Sequence, residues 1–183
     1  MPISPSTAIL ALSVAWLALT GAGLAADAPP RPASPARLPA SIQADLRSIA
    51  DQCTEVGGKP LTGDAVKRAD LNGDGREDFV LDTGSVNCNG AASVYGDREK
   101  WVGVYVGDGK GGATSAFSDS VFGAAIDTTG PAPRLWLTVS GEQCGKGPAK
   151  DFASENFCDR AIVWNAATKK FDYGPVSSVR MIE

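Results

Sequence analysis

The chain has 183 residues, enough for one domain with a hydrophobic core and too few for two ordinary ones. Its formal net charge is −4, and without a block of Lys and Arg it is unsuited to nucleic acid or an anionic membrane surface. It contains no histidine, which excludes Ser-His-Asp and Cys-His catalysis, histidine-bound zinc and a histidine pH switch.

Residues 1–26 have the pattern of a secretory signal peptide. They carry no charged side chain, and an apolar run from Ala8 to Leu19 is followed by small residues that favour cleavage after Ala25 or Ala26. No Lys or Arg precedes the apolar run, so an uncleaved membrane anchor is the alternative, although the run is short for a membrane span. We therefore expect a periplasmic or secreted protein with no stable membrane insertion after cleavage.

Residues 27–39 are rich in Pro and Ala and predict an extended linker. Residues 40–183 are expected to form a single β-rich, calcium-binding domain that begins with a short helix. The helix is predicted because four apolar residues recur at helical spacing: Ile42, Leu46, Ile49 and Cys53. Ser41 is the predicted N-cap, and Gly57 and Gly58 are predicted to end the helix.

From residue 64 onward, short runs of alternating apolar residues are separated by Gly, Asn, Asp and Pro turns. In WVGVYVGD, residues 101–108, three valines fall on one face and two aromatic residues on the other, and RLWLTVS alternates in the same way. The runs RAIVWN and KKFDYG predict a hairpin, while SAFSDSV and GAAIDTT are weaker strand candidates. The predicted fold is mainly β, a small antiparallel sheet domain with one N-terminal helix.

Four cysteines, an even number, predict two disulfides in an exported chain: Cys53, Cys88, Cys144 and Cys158. No CxxC pair occurs, which argues against a zinc knuckle or a thioredoxin-like motif. Three pairings are possible. We prefer Cys53–Cys88 with Cys144–Cys158 because it closes the shortest loops, and it would secure two long polar excursions at residues 84–100 and 141–157.

The most informative stretch is DLNGDGRED, residues 70–78, which we call the acidic loop. Calcium takes about six to eight oxygen ligands in flexible geometry, and a short loop supplies them when alternate side chains point inward. Asp70, Asn72 and Asp74 occupy positions 1, 3 and 5 of such a loop. Gly75 follows at position 6, where the chain must turn sharply.

The next positions complete the predicted ligand set. Arg76 would offer its backbone carbonyl and Asp78 would close the ring, while the side chains of Arg76 and Glu77 would point to solvent. Carboxylates so close together repel one another without a cation. The loop is not an EF-hand, because position 12 is Leu81 rather than Glu and the flanks are strand-like. We predict one calcium ion between two strands; a hairpin turn that holds no metal is the alternative.

The acidic loop, with VGVYVGDGKGG downstream, resembles one FG-GAP/VCBS-type repeat over residues 64–113. In that family a DxNxDGxxD loop joins two strands of a propeller blade and binds calcium, and a later strand runs into a Gly-rich turn. The resemblance implies the same five ligand positions: Asp70, Asn72, Asp74, Arg76 through its carbonyl, and Asp78. No second DxNxDG occurs, and because one blade cannot bury its own faces, a full propeller is excluded.

Other patterns have simpler interpretations. GDGKGG, residues 107–112, lacks the P-loop spacing and exits into a strand, which favours a hairpin turn over a phosphate cradle. No GxSxG or SxxK motif of the common serine hydrolases occurs. Trp101, Trp136 and Trp164 lie on predicted strands, where core packing is the expected role and a shared stacking face for a ligand is the alternative.

Together these patterns predict a non-enzymatic, exported binding or interaction module, stabilised by one calcium ion and two disulfides. Its partner would be an extracytoplasmic protein or glycan rather than nucleic acid. The alternatives are a calcium-dependent hydrolase of the cell envelope and a periplasmic inhibitor of a foreign enzyme.

Overall fold

The computed structural model describes residues 37–182. The predicted signal peptide at residues 1–26 lies outside the described residues, as does the predicted linker up to residue 36. The described chain contains one α-helix, α1 (Ala40–Glu55). It also contains eleven strands: β1 (Lys59–Leu61), β2 (Val66–Ala69), β3 (Asp78–Asp82), β4 (Asn87–Asn89), β5 (Lys100–Gly107), β6 (Ala113–Val121), β7 (Gly123–Asp127), β8 (Arg134–Ser140), β9 (Phe157–Asn165), β10 (Lys170–Tyr173) and β11 (Arg180–Met181).

The strands form three antiparallel sheets. The first sheet has the order β2-β3-β5-β6, and the second has the order β10-β9-β8-β7, with β11 added to β9. A small third sheet pairs β1 with β4. The predicted mainly β fold with one N-terminal helix is confirmed, and within residues 37–182 the sheets close into neither a barrel nor a propeller.

The main core lies between the first and second sheets. Valines of β3 and β5 meet the alternating apolar residues of β8, and Ile162 and Phe171 complete the cluster. The predicted faces of β5 and β8 are confirmed, since Val102 and Val104 face this core while Tyr105 faces the opposite side. Alternating apolar residues predicted the buried face correctly because each of these strands has one face in this core.

The helix covers the other face of the first sheet. Ile42 and Ile49 of α1 are buried against Phe79, Leu81 and Tyr105, which gives three layers in the order helix, sheet, sheet. The apolar spacing that predicted the helix thus marks the face that packs on the sheet.

The start of the helix differs from the prediction. The N-cap is Pro39 rather than Ser41, and the hydroxyl of Ser41 donates instead to the carbonyl of Ala113, 2.9 Å away on β6. The neighbouring Leu38 packs against the helix-side core, so folded structure begins before the predicted linker ends. A tertiary hydrogen bond has taken the side chain that the local pattern assigned to capping.

Both preferred disulfides are present. Cys53–Cys88 joins the end of α1 to β4, and Cys144–Cys158 joins the turn after β8 to β9. No free cysteine occurs in the described chain. Two disulfides indicate an oxidising environment outside the cytoplasm.

Two tyrosine hydroxyls tie the layers together. Tyr105 of β5 donates to the carboxylate of Asp45 on α1, and Tyr173 of β10 donates to Asp119 of β6 at 2.9 Å. Burial raises the pKa of both hydroxyls well above the ordinary value, and the neighbouring carboxylates add to the rise.

These two hydroxyls predict a loss of stability in alkali. Tyrosines ionise near pH 10 in the unfolded chain, whereas Tyr105 and Tyr173 stay protonated when folded, so stability is retained below about pH 10 and falls as the pH rises above it. Chemical denaturation between pH 8 and about pH 11 would show this slope. The Tyr105→Phe, Tyr173→Phe double variant should have a flatter profile, and an unchanged slope would contradict the assignment.

Gly58 is predicted to tolerate no side chain. A Cβ at this position would lie 2.2 Å from the Sγ of Cys88 and 2.8 Å from the Sγ of Cys53. Because the disulfide cannot swing away, Gly58→Ala should lower the free energy of unfolding by about 1–3 kcal/mol. Gly63→Ala is the matched control, since no described atom lies within 4 Å of a Cβ there. Urea unfolding of the oxidised variants measures the difference, and equal stabilities would contradict it.

Candidate metal site

The acidic loop closes the hairpin between β2 and β3. The register of this hairpin runs from Val66 opposite Leu81 to Ala69 opposite Asp78. The prediction that the loop lies between two strands is therefore confirmed.

The carboxylate of Asp70 organises the outer part of the loop. Its Oδ1 accepts the backbone N–H groups of Gly73 at 2.8 Å and Asp74 at 3.1 Å, and its Oδ2 accepts that of Gly75 at 2.8 Å. Gly73 and Gly75 have φ values of 76° and 81°, a left-handed conformation that favours glycine. The glycines let the chain curl around the first aspartate of the motif.

Two further side chains repeat this arrangement on a smaller scale. The Oδ1 of Asn72 accepts the N–H of Asp74 at 2.9 Å, and the Oδ1 of Asp74 accepts the N–H of Arg76 at 2.9 Å. Arg76 and Glu77 are exposed as predicted, although Arg76 lies 3.6 Å from Asp74 and Glu77 lies 3.0 Å from Arg68. The oxygens of the outer loop are thus held in place by short-range hydrogen bonds.

Asp78 lies at the base of the loop and is fully buried. Its Oδ2 accepts the N–H groups of Leu71 at 2.9 Å and Asn72 at 3.2 Å. Its Oδ1 accepts the N–H of Gly107 at 3.1 Å, at the end of β5. One carboxylate therefore joins the acidic loop to the glycine turn, the name used below for residues 107–112.

The electrostatics of Asp78 combine opposing effects. Burial raises the pKa of its carboxyl group, and the hydrogen bonds from Gly107, Leu71 and Asn72 offset part of the rise. The negative charge of Asp74 pushes the pKa of Asp78 further upward. This effect of Asp74 is smaller than those of burial and of the three hydrogen bonds.

The donors of the loop suit a hard cation by type, since they are carboxylate, amide and carbonyl oxygens. Asp74 is exposed, and Asp70 and Asn72 are partly exposed. A carboxylate oxygen that accepts one N–H retains further acceptor capacity. Within residues 37–182, however, no three His, Cys, Asp or Glu side chains converge as a metal-holding group. The chemistry of the donors fits calcium, while the carboxylate of Asp78 is directed at backbone N–H groups.

The acidic loop and the glycine turn share one concave surface, which we call the acidic cleft. It has a volume of about 410 Å³, and its wall includes Asn72, Asp74, Asp108, Trp164 and Lys169. The cleft thus gathers side chains from the β2–β3 loop, the glycine turn and the β9–β10 hairpin.

Asp108 is the member of this cleft that the sequence reasoning missed. Its Oδ1 accepts the N–H groups of Lys110 at 2.7 Å and Gly112 at 2.9 Å, and these bonds lower the pKa of its carboxyl group. The signal was present in the sequence as the Asp of GDGKGG. This pattern predicts only a turn, because nothing local places Asp108 beside the acidic loop.

The three tryptophans do not share one face. Trp101 packs on the helix-side core, Trp164 packs on the core between the sheets, and Trp136 is buried beneath the guanidinium of Arg180, 3.7 Å from its ring centroid. A stacking platform made of all three is therefore ruled out.

A second groove lies beside α1. It has a volume of about 390 Å³, and Asp45, Tyr95 and Trp101 contribute to its wall. Burial raises the pKa of Tyr95, and Tyr105, which donates to Asp45, also has a raised pKa. A catalytic tyrosine base needs a pKa lowered toward neutrality, so these shifts run opposite to that role.

Among the described residues, no helix is long and apolar enough to cross a membrane. The class defined by the fold is a small, mainly β domain with two disulfides. No protein-family model, curated protein or solved structure matches the chain, so the residues themselves carry the functional argument.

Asp78→Asn should destabilise the protein because an amide has one acceptor oxygen and would place its NH₂ group against a backbone N–H. We expect a loss of about 1–3 kcal/mol in the free energy of unfolding. Urea unfolding in the presence of a chelator measures it without any contribution from a bound metal.

Glu77→Gln is the matched control for Asp78→Asn. Its side chain is 57% exposed and its ion pair with Arg68 lies at the surface, so the loss should stay below about 1 kcal/mol. Equal losses in the two variants would contradict the role assigned to Asp78.

Proposed function

We propose that the protein is an exported, calcium-stabilised binding module that acts without catalysis. The observation that carries this proposal is the pinning of the acidic loop against the glycine turn by Asp78, which holds Asn72, Asp74 and Asp108 around one open cleft. A cleft preformed by rigid hairpins suits recognition, because little ordering is required when a partner binds.

Calcium is the proposed ion. The ligand set implied by the resemblance to the FG-GAP/VCBS repeat is Asp70, Asn72, Asp74, the carbonyl of Arg76 and Asp78. Of these residues, Asn72, Asp74 and Arg76 line the acidic cleft, together with Asp108. The oxygen donors of the loop support this assignment, since carboxylate, amide and carbonyl oxygens are the ligands that calcium takes. The ion would act on stability and loop order rather than on a reaction.

Export is the proposed setting. A signal peptide at residues 1–26 would direct the chain to the periplasm or the medium, and the two disulfides agree with that destination. The partner would be an extracytoplasmic protein or glycan. The acidic cleft supports this class of ligand because it combines charged groups with the indole of Trp164.

The calcium proposal is tested by thermal melts of the purified, oxidised protein in calcium, magnesium and chelator. A ligand bound only by the folded state adds about 2.7 kcal/mol at a hundredfold excess over its Kd. For a chain of this size, that corresponds to a rise in Tm of roughly 5–10 °C. We expect this rise with calcium and a smaller one with magnesium, because magnesium demands a stricter octahedral geometry.

Asp74→Ala should abolish the rise with calcium, whereas Asp64→Ala, which removes an exposed carboxylate before β2, should leave it intact. Superimposed melts of the wild-type protein in calcium and in chelator would overturn the metal assignment. A full calcium response in Asp74→Ala would instead overturn the ligand set.

A further inference from the structure

A second cavity shares Arg76 and Gly107 with the acidic cleft, but its charged lining is mainly arginine. Its volume is about 410 Å³, and its wall contains the side chains of Arg37, Arg68 and Arg76. We call it the arginine cavity. Glu77 lies on its wall and pairs with Arg68, and Arg76 lies 3.6 Å from Asp74, so within residues 37–182 the one arginine of the three without an ion pair is Arg37.

The arginines come from three different parts of the fold. Arg37 precedes α1, Arg68 lies on β2, and Arg76 belongs to the acidic loop. The three arginine side chains are therefore brought together by the tertiary fold and not by one charged segment of the sequence. Glu77 and Asp74 each pair with one guanidinium group, and the charge of Arg37 remains without a paired carboxylate among the described residues.

Two of the guanidinium groups are oriented by their surroundings. That of Arg68 lies 3.0 Å from Glu77 and 5.3 Å from the ring centroid of Phe79. The stem of Arg76 lies against Gly109, where a Cβ would approach its Cδ to 3.0 Å. Groups that are already oriented lose less freedom when they bind a ligand.

The rest of the wall is mainly glycine backbone: Gly75, Gly107, Gly109, Gly111 and Gly112. Atoms of Glu77, Arg76 and Asp108 fill the space in front of Gly107, Gly109 and Gly112, respectively, so a ligand could approach the main chain closely only at Gly75 and Gly111. A Cβ built at Gly75 or Gly111 would meet no described atom within 4 Å, so the space in front of these residues is open.

We propose that the arginine cavity binds a doubly charged oxyanion, a phosphate or sulfate group. The planar fork of a guanidinium matches the oxygens of such groups and forms paired hydrogen bonds with them. Each guanidinium group attracts a dianion more strongly than a monovalent carboxylate at the same distance, so a dianion is favoured.

The N-terminus of α1 also contributes positive electrostatic potential to the arginine cavity, although the proposal does not depend on it. Pro39, the N-cap, lines the cavity, and α1 has neither a side-chain cap nor an acidic residue in its first turn. The positive end of the helix dipole therefore meets no acidic side chain within the first turn.

The test is an NMR titration of the full protein in buffer free of divalent cations. Sulfate, phosphate and acetate are added separately at constant ionic strength, with chloride as the reference. Saturable shifts of amides in the glycine turn are expected with sulfate and phosphate, and weaker ones with acetate. Methyl phosphate distinguishes a site for a free ion from one that accepts an ester-linked group, since one of its oxygens is blocked.

Arg37→Gln and Arg76→Gln should each weaken sulfate binding roughly two- to fivefold, the range for a solvent-exposed ion pair. Arg47→Gln, which removes an exposed arginine of α1 outside the cavity, is the matched control and should have no effect. Arg76→Lys keeps the charge but loses the planar fork, so its affinity should fall between those of Arg76→Gln and the wild type.

The pH dependence gives an independent readout. Phosphate should bind more tightly as the pH rises from about 6 to 8, because it gains its second charge, whereas sulfate binding should stay constant. The charged groups that face the ligand are Arg37, Arg68, Arg76 and Glu77, with Asp74 beside Arg76, and the chain has no imidazole that titrates in this range.

A non-saturable response to sulfate equal to that for acetate would overturn the proposal, as would unchanged sulfate binding in the Arg37→Gln, Arg76→Gln double variant. The titration contains no calcium, so its failure would leave the calcium proposal intact. Conversely, melts that show no calcium effect would leave the oxyanion proposal standing.

Discussion

The buried carboxylate of Asp78 is the interaction on which the arrangement of both cavities depends. It accepts backbone N–H groups from two segments that are distant in sequence, the acidic loop and the end of β5 at Gly107. Burying a carboxylate is costly unless its oxygens are satisfied, so the bonds and the burial require each other. With this contact in place, the loop has a fixed position against the glycine turn, and each cavity has a wall from both.

Disulfides and side-chain contacts hold the two polar excursions, residues 84–100 and 141–157, against the rest of the fold. Each is joined to the fold by one disulfide, and they are also joined to each other by Arg98 and Glu155, 2.9 Å apart. The guanidinium of Arg98 lies 3.5 Å from the ring centroid of Phe152, so the same side chain contributes a cation–π contact. These links reduce the conformational freedom of the two long loops.

The elements of this fold were predictable where the signal was local. Strand alternation identified the faces of β5 and β8, and the Asp/Gly spacing placed the acidic loop between strands, because burial and turn geometry act on neighbouring residues. The partners of individual polar side chains were not predictable. Ser41 binds the carbonyl of Ala113, 72 residues away, and Asp78 binds the N–H of Gly107, 29 residues away. Only the tertiary fold brings such partners together, so the helix cap and the role of Asp78 could not be derived from the pattern.

Arg76 lies on the walls of two cavities whose other charged residues differ. The proposed metal loop needs only the backbone carbonyl at this position, and this requirement leaves the identity of the side chain unspecified. A calcium loop alone therefore gives no reason for an arginine. The side chain runs across Gly109 and lines the arginine cavity, while its pairing with Asp74 marks the boundary with the acidic cleft. The backbone carbonyl of Arg76 would thus bind the proposed calcium ion, while its side chain would bind the proposed oxyanion. The calcium proposal explains the position of the backbone, and the oxyanion proposal explains the identity of the side chain.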